Sequence, residues 1–497
     1  MANSSMTLRQ LFAGLLQLPA SCDLEIRNIV SDSREAGPGA LFVALPGLRQ
    51  DGRQFEADAL ARGAVAILRT GDSRPVLTEN GAVVLEVPDV RLLLPQLAIR
   101  FFDDPCRDLS LIGVTGTNGK SSVTHFIAQL LTALGQPCGL IGTLGYGLAG
   151  QMRTASHTTP DTLRLFRELA QMRAQGAKAV AMEVSSHALD QNRVAGLQFS
   201  GAVFTNLTHD HLDYHGDMES YGRAKQQLFE RPELGFAVVN LDDGFGRCLA
   251  DEWTRQGPML GYGLHEAASL RATEVVYHAQ GIEAKIHYQG QVGTLRCSLL
   301  GDFNLSNVLA ALGALLTLGH PLEVVLKCAE NLRPVSGRMQ PVSASAGPLV
   351  IVDYAHTPDA LEQALLACQR HQPGQLWCVF GCGGDRDRFK RPLMAGAAAR
   401  YSAQVIVTDD NPRTESPQQI VEDILAGMPV GARFQVLHDR ERAIAEAIAQ
   451  ADDRDIVLIA GKGHETYQEV QGERRPFDDV VVAQRYLQQR AAQQVTS

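Results

Sequence analysis

From Leu109 to Ser122 the chain runs a short apolar strand into a glycine-rich turn and directly on into a helix, and nothing else in it constrains the fold as tightly. Leu109, Leu111, Ile112 and Val114 suit a buried strand. Gly113, Gly116 and Gly119 let the backbone turn sharply and approach a ligand closely. Beyond Ser121, the residues Val123, Phe126, Ile127, Leu130, Leu131 and Leu134 recur at spacings of three and four, the helical period. Such a strand, turn and Lys-Ser helix start holds a polyphosphate. Unpaired amides face the anion, Lys120 brings a positive charge, and Ser121 offers a hydroxyl to a divalent cation. The strict phosphate-loop pattern asks for glycine six residues before the lysine and meets Val114 instead. A tight turn with a solvated lysine is the competing reading, and the position between strand and helix argues against it.

A chain of 497 residues exceeds what one core serves, so several domains are expected. With 45% hydrophobic and 20% charged residues it has the composition of a globular protein. A formal charge of -10 argues against nonspecific nucleic-acid binding while leaving room for a local basic pocket. The nine cysteines form no Cys-x-x-Cys pair, and Cys378 and Cys382 read as core thiols, which suits a reducing cytoplasm. Near the start, Arg9 and Gln17 bracket an apolar run too broken for a signal peptide. Leu8, Leu11, Phe12, Leu15 and Leu16 suit one face of a helix instead. No window resembles an uncharged membrane span. A cytoplasmic monomer with no membrane insertion is expected.

The pattern implies an α/β chain of three domains. Residues 1–105 alternate short apolar runs with turns, the strands falling near 40–45, 64–68 and 82–87 and a helix near 55–62. Residues 106–338 alternate strands and helices as a mainly parallel sheet does, with strands near 109–114, 140–141, 179–184, 202–205 and 237–240. Segments 273–277 and 284–288 alternate around Gly281 as a hairpin, and 336–339 reads as a linker. Residues 339–497 form a second doubly wound, Rossmann-like domain, with strands near 349–352, 376–380, 405–408, 434–437 and 456–460. Helices are expected near 359–368, 440–449 and 480–490.

Ligands of such sheets sit at the carboxyl ends of strands, and the unusual residues of this chain lie there. Glu183-Val-Ser-Ser-His187 follows one strand, and the histidine-rich segment 206–215 follows another. If both strands flank the phosphate strand, Glu183 and a histidine can meet Ser121 around a metal. Oxygen ligands beside a nucleotide phosphate favour magnesium; a His-x-His zinc site and histidines that merely cap a loop are the alternatives. Lys225 by itself reads as a solvated helix lysine. In the last domain the loops 353–358, 381–386, 409–413 and 461–465 each follow an apolar strand and mix arginines with carboxylates. One would be a turn; four at one sheet edge outline a pocket.

Taken in order, Gly116–Ser122, Glu183–His187, Asn206–His215, Gly301–Asn307, Ser336–Arg338 and Asp353–Pro358 resemble the Mur ligases, the ATP-dependent amide ligases of peptidoglycan synthesis. The segment Asp410-Asn-Pro-Arg413 is similar to the branch that adds meso-diaminopimelate to UDP-N-acetylmuramoyl-L-alanyl-D-glutamate. The resemblance implies a uridine-nucleotide domain, a central ATPase and a C-terminal amino-acid domain. It places Ser31, Ser33, Leu48, Arg49 and Gln50 at the uridine end. His157, Thr158, Thr159, Ser185, Gln191 and Arg193 would hold the muramoyl-dipeptide. ATP would meet Gly116, Thr117, Asn118, Gly119, Lys120, Ser121 and Ser122 with its phosphates, and Asn304, Arg338 and Asp353 with its base and ribose. Ser121, Glu183 and His211 would surround magnesium, with Lys225, as a CO2-derived carbamate, serving a second ion. Arg386, Asp410, Asn411, Pro412, Arg413, Gly461 and Glu465 would grip diaminopimelate. Ser121 and Ser122 stand where threonines are commoner in the family, which keeps the hydroxyl. His157 stands where some relatives have asparagine.

The implied chemistry has two steps. ATP converts the D-glutamyl γ-carboxylate into an acyl phosphate, and the amine then displaces phosphate. Lys120 and the loop amides act by positioning and charge stabilisation. Lys120, Lys225 and His211 are the catalytic candidates, and His211 and the Lys225 carbamate remain alternatives for the general base. Rival readings are a lysine-adding ligase, a folylpolyglutamate synthetase, a paralogue recruited elsewhere, and a nucleotide switch without an amine site.

Overall fold

The computed structural model describes residues 5–47, 51–72, 76–77, 81–155, 157–254, 257–278, 280–371 and 374–496. The chain forms two compact units, residues 1–239 with 243–259, and residues 240–242 with 260–497.

Besides a two-stranded ribbon of Met6–Thr7 with Glu25–Ile26, the first unit holds two larger sheets. The N-terminal one has the order Asn28–Val30, Ala40–Ala44, Ala64–Thr70, Val83–Val87, Val76–Leu77, parallel except for its last pair. Ala40–Ala44 is buried at every position, as a strand covered on both faces must be. The expected N-terminal helix is shorter than its apolar spacing suggests. It spans only Leu8–Leu11, started by a Thr7–Gln10 capping box, and Gly14 then turns the backbone at a φ of 73°. Leu8, Leu11 and Phe12 are nonetheless fully buried. The helix expected at 55–62 is likewise split, into a 3-10 turn over Gly52–Phe55 and an α-helix over Glu56–Ala61.

The second sheet of this unit runs Gly145–Leu148, Cys138–Gly142, Ala179–Glu183, Ser110–Thr115, Gly201–Phe204, Phe236–Asn240. The strands that end in Glu183 and Phe204 flank the phosphate strand in parallel, Glu183 opposite Val114 and Phe204 opposite Thr115. The phosphate loop therefore emerges where the chain order around Ser110–Thr115 reverses, the crevice of an open α/β sheet. Helix Thr162–Ala174 ties the two sheets together. Asp161, its N-cap, accepts a hydrogen bond from Ser31 Oγ (3.2 Å). Arg167 donates to the Ile29 carbonyl (2.8 Å) and pairs with Glu35. Arg173, in the last turn, donates to the Asp103 carbonyl (2.8 Å).

In the second unit, Leu270–His278, Gly281–Tyr288 and Gln291–Cys297 form an antiparallel meander, one strand more than the expected hairpin. Gln291–Cys297 escaped prediction because Gly293 and three exposed residues blur its alternation. The C-terminal sheet has the order Gln340–Val342, Leu349–Asp353, Ile456–Ala460, Leu376–Phe380, Gln404–Val407, Phe434–Val436, parallel beyond its first pair. Helices Pro358–Gln369, Arg440–Gln450 and Asp479–Thr496 cover it, the last running six residues past its expected end. The 336–339 segment is a packed turn and no loose tether. Gly337 has a φ of 66°, and a Cβ there would lie 2.1 Å from the His464 amide nitrogen. His371, at the end of helix Pro358–Gln369, accepts from the Gly301 N–H (2.8 Å) and donates to the His278 carbonyl (2.7 Å), which joins the last sheet to the meander and to helix Asp302–Thr317.

Candidate functional site

Gly119, with a φ of 86°, caps the phosphate helix Lys120–Ala133 without any side-chain hydrogen bond, so the first amides of that helix stay available to an anion. The segment after the strand Gly201–Phe204 braces the loop. Thr205 Oγ1 donates to the Asn118 carbonyl (2.6 Å), Asn118 N to Asn206 Oδ1 (2.9 Å), and Thr208 N to Thr117 Oγ1 (3.0 Å). Gly116 must be glycine: its φ is 146°, and a Cβ would sit 1.9 Å from Thr205 Oγ1. Lys120 Nζ donates to the Gly116 and Thr117 carbonyls, both at 2.8 Å.

Lys225 is no solvated helix lysine. It is 1% exposed, donates to the same Gly116 carbonyl (2.9 Å), and lies 4.0 Å above the Tyr221 ring. Burial, and then the neighbouring Lys120 charge, hold its pKa well below the ordinary lysine value. Sequence reading alone had no means to see this, because helix Met218–Gln226 is otherwise polar. Tyr221, fully buried beside it, has its phenol pushed up to about 12 by burial and lies 3.3 Å from Thr117 Oγ1.

Glu183 is 2% exposed and accepts from the Thr143 N–H (2.9 Å) and hydroxyl (3.2 Å). Thr143, which sequence reading missed, also meets the Thr158 hydroxyl at 3.0 Å. From there the polar network continues. Thr159 Oγ1 donates to the Glu183 carbonyl (2.9 Å) and accepts from Ser185 N (3.1 Å). Arg193 donates to the Thr159 carbonyl (2.9 Å) and to Gln191 Oε1, whose amide reaches Tyr214 (3.0 Å). The His157 backbone pairs with the Tyr146 hydroxyl. Five sequence-selected residues, Thr158, Thr159, Ser185, Gln191 and Arg193, thus share one network around Glu183. Ser121 and Ser122 are buried at the helix start.

His211 lies apart from that network. Its backbone is left-handed (φ 53°), its side chain is 48% exposed, and its ring stacks edge-on against His187 at 4.9 Å. His187 and His215 are held below the ordinary histidine pKa by burial. Among the described residues no three His, Cys, Asp or Glu side chains are grouped to hold a metal, which a protein-only zinc site requires. Ser33 is buried in the first sheet's loops. Leu48, Arg49 and Gln50 lie outside the described residues.

In the second unit, Asn304 is buried and its amide donates to the Leu300 carbonyl (2.7 Å). Asp353 accepts from the Met339 (2.7 Å) and Ala355 (2.8 Å) amides, and burial raises its carboxyl pKa against the opposing Arg338 charge. Arg338 stacks over Tyr354 at 4.8 Å, its buried Nε without a partner among the described groups.

The four C-terminal loops converge as expected. Arg413, left-handed at a φ of 53°, donates to the Gly384 carbonyl (2.7 Å), and its backbone bonds strand Tyr467–Val470 through Glu469 (3.0 Å). The Pro412 carbonyl leaves no room for a side chain at Gly384. Gly461 (φ 115°) lets the chain pass the Asp410 carboxylate. Asn411 Nδ2 donates to Glu465 Oε2 (2.7 Å). Arg386 is exposed at the rim. Lys462, which sequence reading passed over, is fully buried between Asn411 and Glu465.

Comparison with known proteins gives three family matches along the chain: "Mur ligase family, catalytic domain" at residues 25–102, "Mur ligase middle domain" at 114–315, and "Mur ligase, glutamate ligase domain" at 337–463. The chain is 50% identical over 483 residues to the UDP-N-acetylmuramoyl-L-alanyl-D-glutamate--2,6-diaminopimelate ligase of Pseudomonas aeruginosa, covering 97% of this chain and 98% of that one. It is 50% identical over 463 residues to the ligase of the same name from Ectopseudomonas mendocina, covering 93% and 95%. A solved structure of a ligase so named superposes with a TM-score of 0.73 at 37% identity, covering 98% and 99%.

Proposed function

Because the chain belongs to the Mur ligase family, we propose that this ATP-dependent ligase adds meso-diaminopimelate to the D-glutamyl γ-carboxylate of UDP-N-acetylmuramoyl-L-alanyl-D-glutamate. The carrying observation is the 50% identity to ligases of that name over nearly the whole chain. The Asp410–Arg413 loop supports the choice of amine, since its arginine suits a distal carboxylate that lysine lacks. We assign residues 1–105 to the uridine nucleotide, 106–338 to ATP and 339–497 to the amino acid. The enzyme works as a cytoplasmic monomer in this reading; no described helix is long and apolar enough to cross a membrane.

A carboxylate is a poor electrophile, so the γ-phosphoryl group is transferred to it first. Lys120 and the loop amides bind the phosphates and offset charge on the oxygens in flight. Asn304, Arg338 and Asp353 receive the base and ribose. The network of Thr158, Thr159, Ser185, Gln191 and Arg193, together with His157, holds the peptide, with Ser31, Ser33 and residues 48–50 at the uridine end. Arg386, Asp410–Arg413, Gly461 and Glu465 orient the amine that displaces phosphate.

Ser121, Glu183 and His211 are assigned to magnesium. The Glu183 carboxylate fits, because it is buried and its internal partners on Thr143 are neutral donors. Magnesium would supply charge neutralisation at the phosphate oxygens. Lys225 fits a carbamate: a buried amine pushed toward neutrality can take up CO2, and the product would serve a second ion. His211 or that carbamate receives the amine proton.

ADP release in the presence of the UDP-dipeptide, with meso-diaminopimelate compared against L-lysine, tests the reading. Selective stimulation by diaminopimelate is expected. Preference for lysine, dependence on a folate, or ADP release without any amine would overturn it.

A further inference from the structure

Lys462 stands between the two groups assigned to the amino acid. Its side chain is fully buried, and Nζ donates to Asn411 Oδ1 (3.1 Å) and to Glu465 Oε2 (3.3 Å). Asn411 Oδ1 also accepts the Glu469 N–H (2.9 Å), so both internal donors fall on the oxygen and fix which way the amide points. The amide nitrogen then has one direction left, toward Glu465 Oε2 (2.7 Å). Glu465 Oε2 thereby takes both internal bonds. Oε1 takes part in neither bond, and the side chain is 18% exposed. The loop itself is pinned independently, by Gln468 Nε2 on the Asp410 carbonyl (2.8 Å) and by Gly384 N on the Asn411 carbonyl (2.9 Å). Lys462 is therefore not needed to hold the backbone. What it controls is the rotamer and charge of two side chains.

We propose that Lys462 is a positioning and specificity residue of the amino-acid pocket, an inference that rests on the diaminopimelate reading above. It locks Asn411 and Glu465 so that one carboxylate oxygen faces the ammonium of an incoming amino-acid head. It also cancels the Glu465 charge, so that together with Arg413 the pocket suits a zwitterion, with its own carboxylate, over a bare cation. Without the lysine, Glu465 loses its ion pair, and the pocket shifts toward a simple ammonium such as the lysine side chain.

Lys462→Met is expected to raise the KM for meso-diaminopimelate by about tenfold or more, while leaving the KM for ATP and the UDP-dipeptide within about twofold, and to narrow the preference over L-lysine. Lys462→Gln, which keeps a donor, is expected to recover part of the KM. If Lys462→Met folds poorly, the Gln variant and the shift of its unfolding midpoint on adding meso-diaminopimelate carry the same comparison. Unchanged kinetics in both variants, or a fall in kcat with every KM preserved, would overturn the proposal. A wild-type enzyme that ignores diaminopimelate would instead overturn the substrate reading, separately from any result at position 462.

Discussion

At Gly116 the backbone leaves a strand at a φ of 146°, and any side chain would drive into Thr205. Gly116→Ala therefore has to distort either the phosphate loop or its brace, at a strain of about 1–3 kcal/mol. Turnover is expected to fall by about a hundredfold or more through lost charge stabilisation. At about 2 °C per kcal/mol for a unit of this size, the unfolding midpoint should fall by about 2–6 °C. Steady-state ADP release and a thermal scan check this, and wild-type turnover would contradict it. The residues that the chain announces most clearly are of this kind, glycines and charges with a geometric duty. Lys225 and Lys462 were opaque for the opposite reason: a lysine on a polar helix or in a glycine loop reads as solvated, and only the fold reveals that both are buried.

Among the elements, apolar runs located the central strands of the three large sheets to within a few residues, because continuous Val, Ile and Leu are what two covered faces demand, while short or edge strands such as Asn28–Val30, Gly145–Leu148, Gln340–Val342 and Tyr467–Val470 were not foreseen. Helix ends and the third strand of the meander were less legible, since Gly14 and Gly293 override spacing. His371 makes a prediction at this scale. Its ring must be neutral to accept the Gly301 N–H while donating to the His278 carbonyl. Burial keeps its folded pKa below the ordinary 6.5. The unfolded chain thus takes a proton first, and the stabilisation present at neutral pH is lost as pH falls below that value. Between about pH 7.5 and 5.5, thermal unfolding of the wild type should lose more stability than that of His371→Gln, in which this titration is absent. Parallel pH slopes for the two proteins would contradict the assignment.

On the scale of the whole molecule, all nine cysteines are free thiols; seven are buried, Cys328 is half-buried and Cys248 is exposed. Burial pushes Cys106 to about 11 and Cys138 to about 12, so neither supplies thiolate near neutrality. Titration of the native protein with a thiol reagent should show Cys248 reacting first and most of the rest only after denaturation; uniform fast labelling would contradict this burial pattern. The alternation of strands and helices was readable along the chain, and it suggested three domains where the fold packs into two compact units. The bonds that join one part to the next were not readable, because they run between residues far apart in sequence. Helix Thr162–Ala174 is the case in point: Asp161, Arg167 and Arg173 fasten it to the first sheet and its approach from start to end, while Thr158 and Thr159 lie just ahead of it. Both proposed grips meet at its N-terminal end: Ser31 is bonded to Asp161, two residues after Thr159. In the proposed reading, the uridine end and the peptide end of the substrate are therefore registered against one rigid helix start.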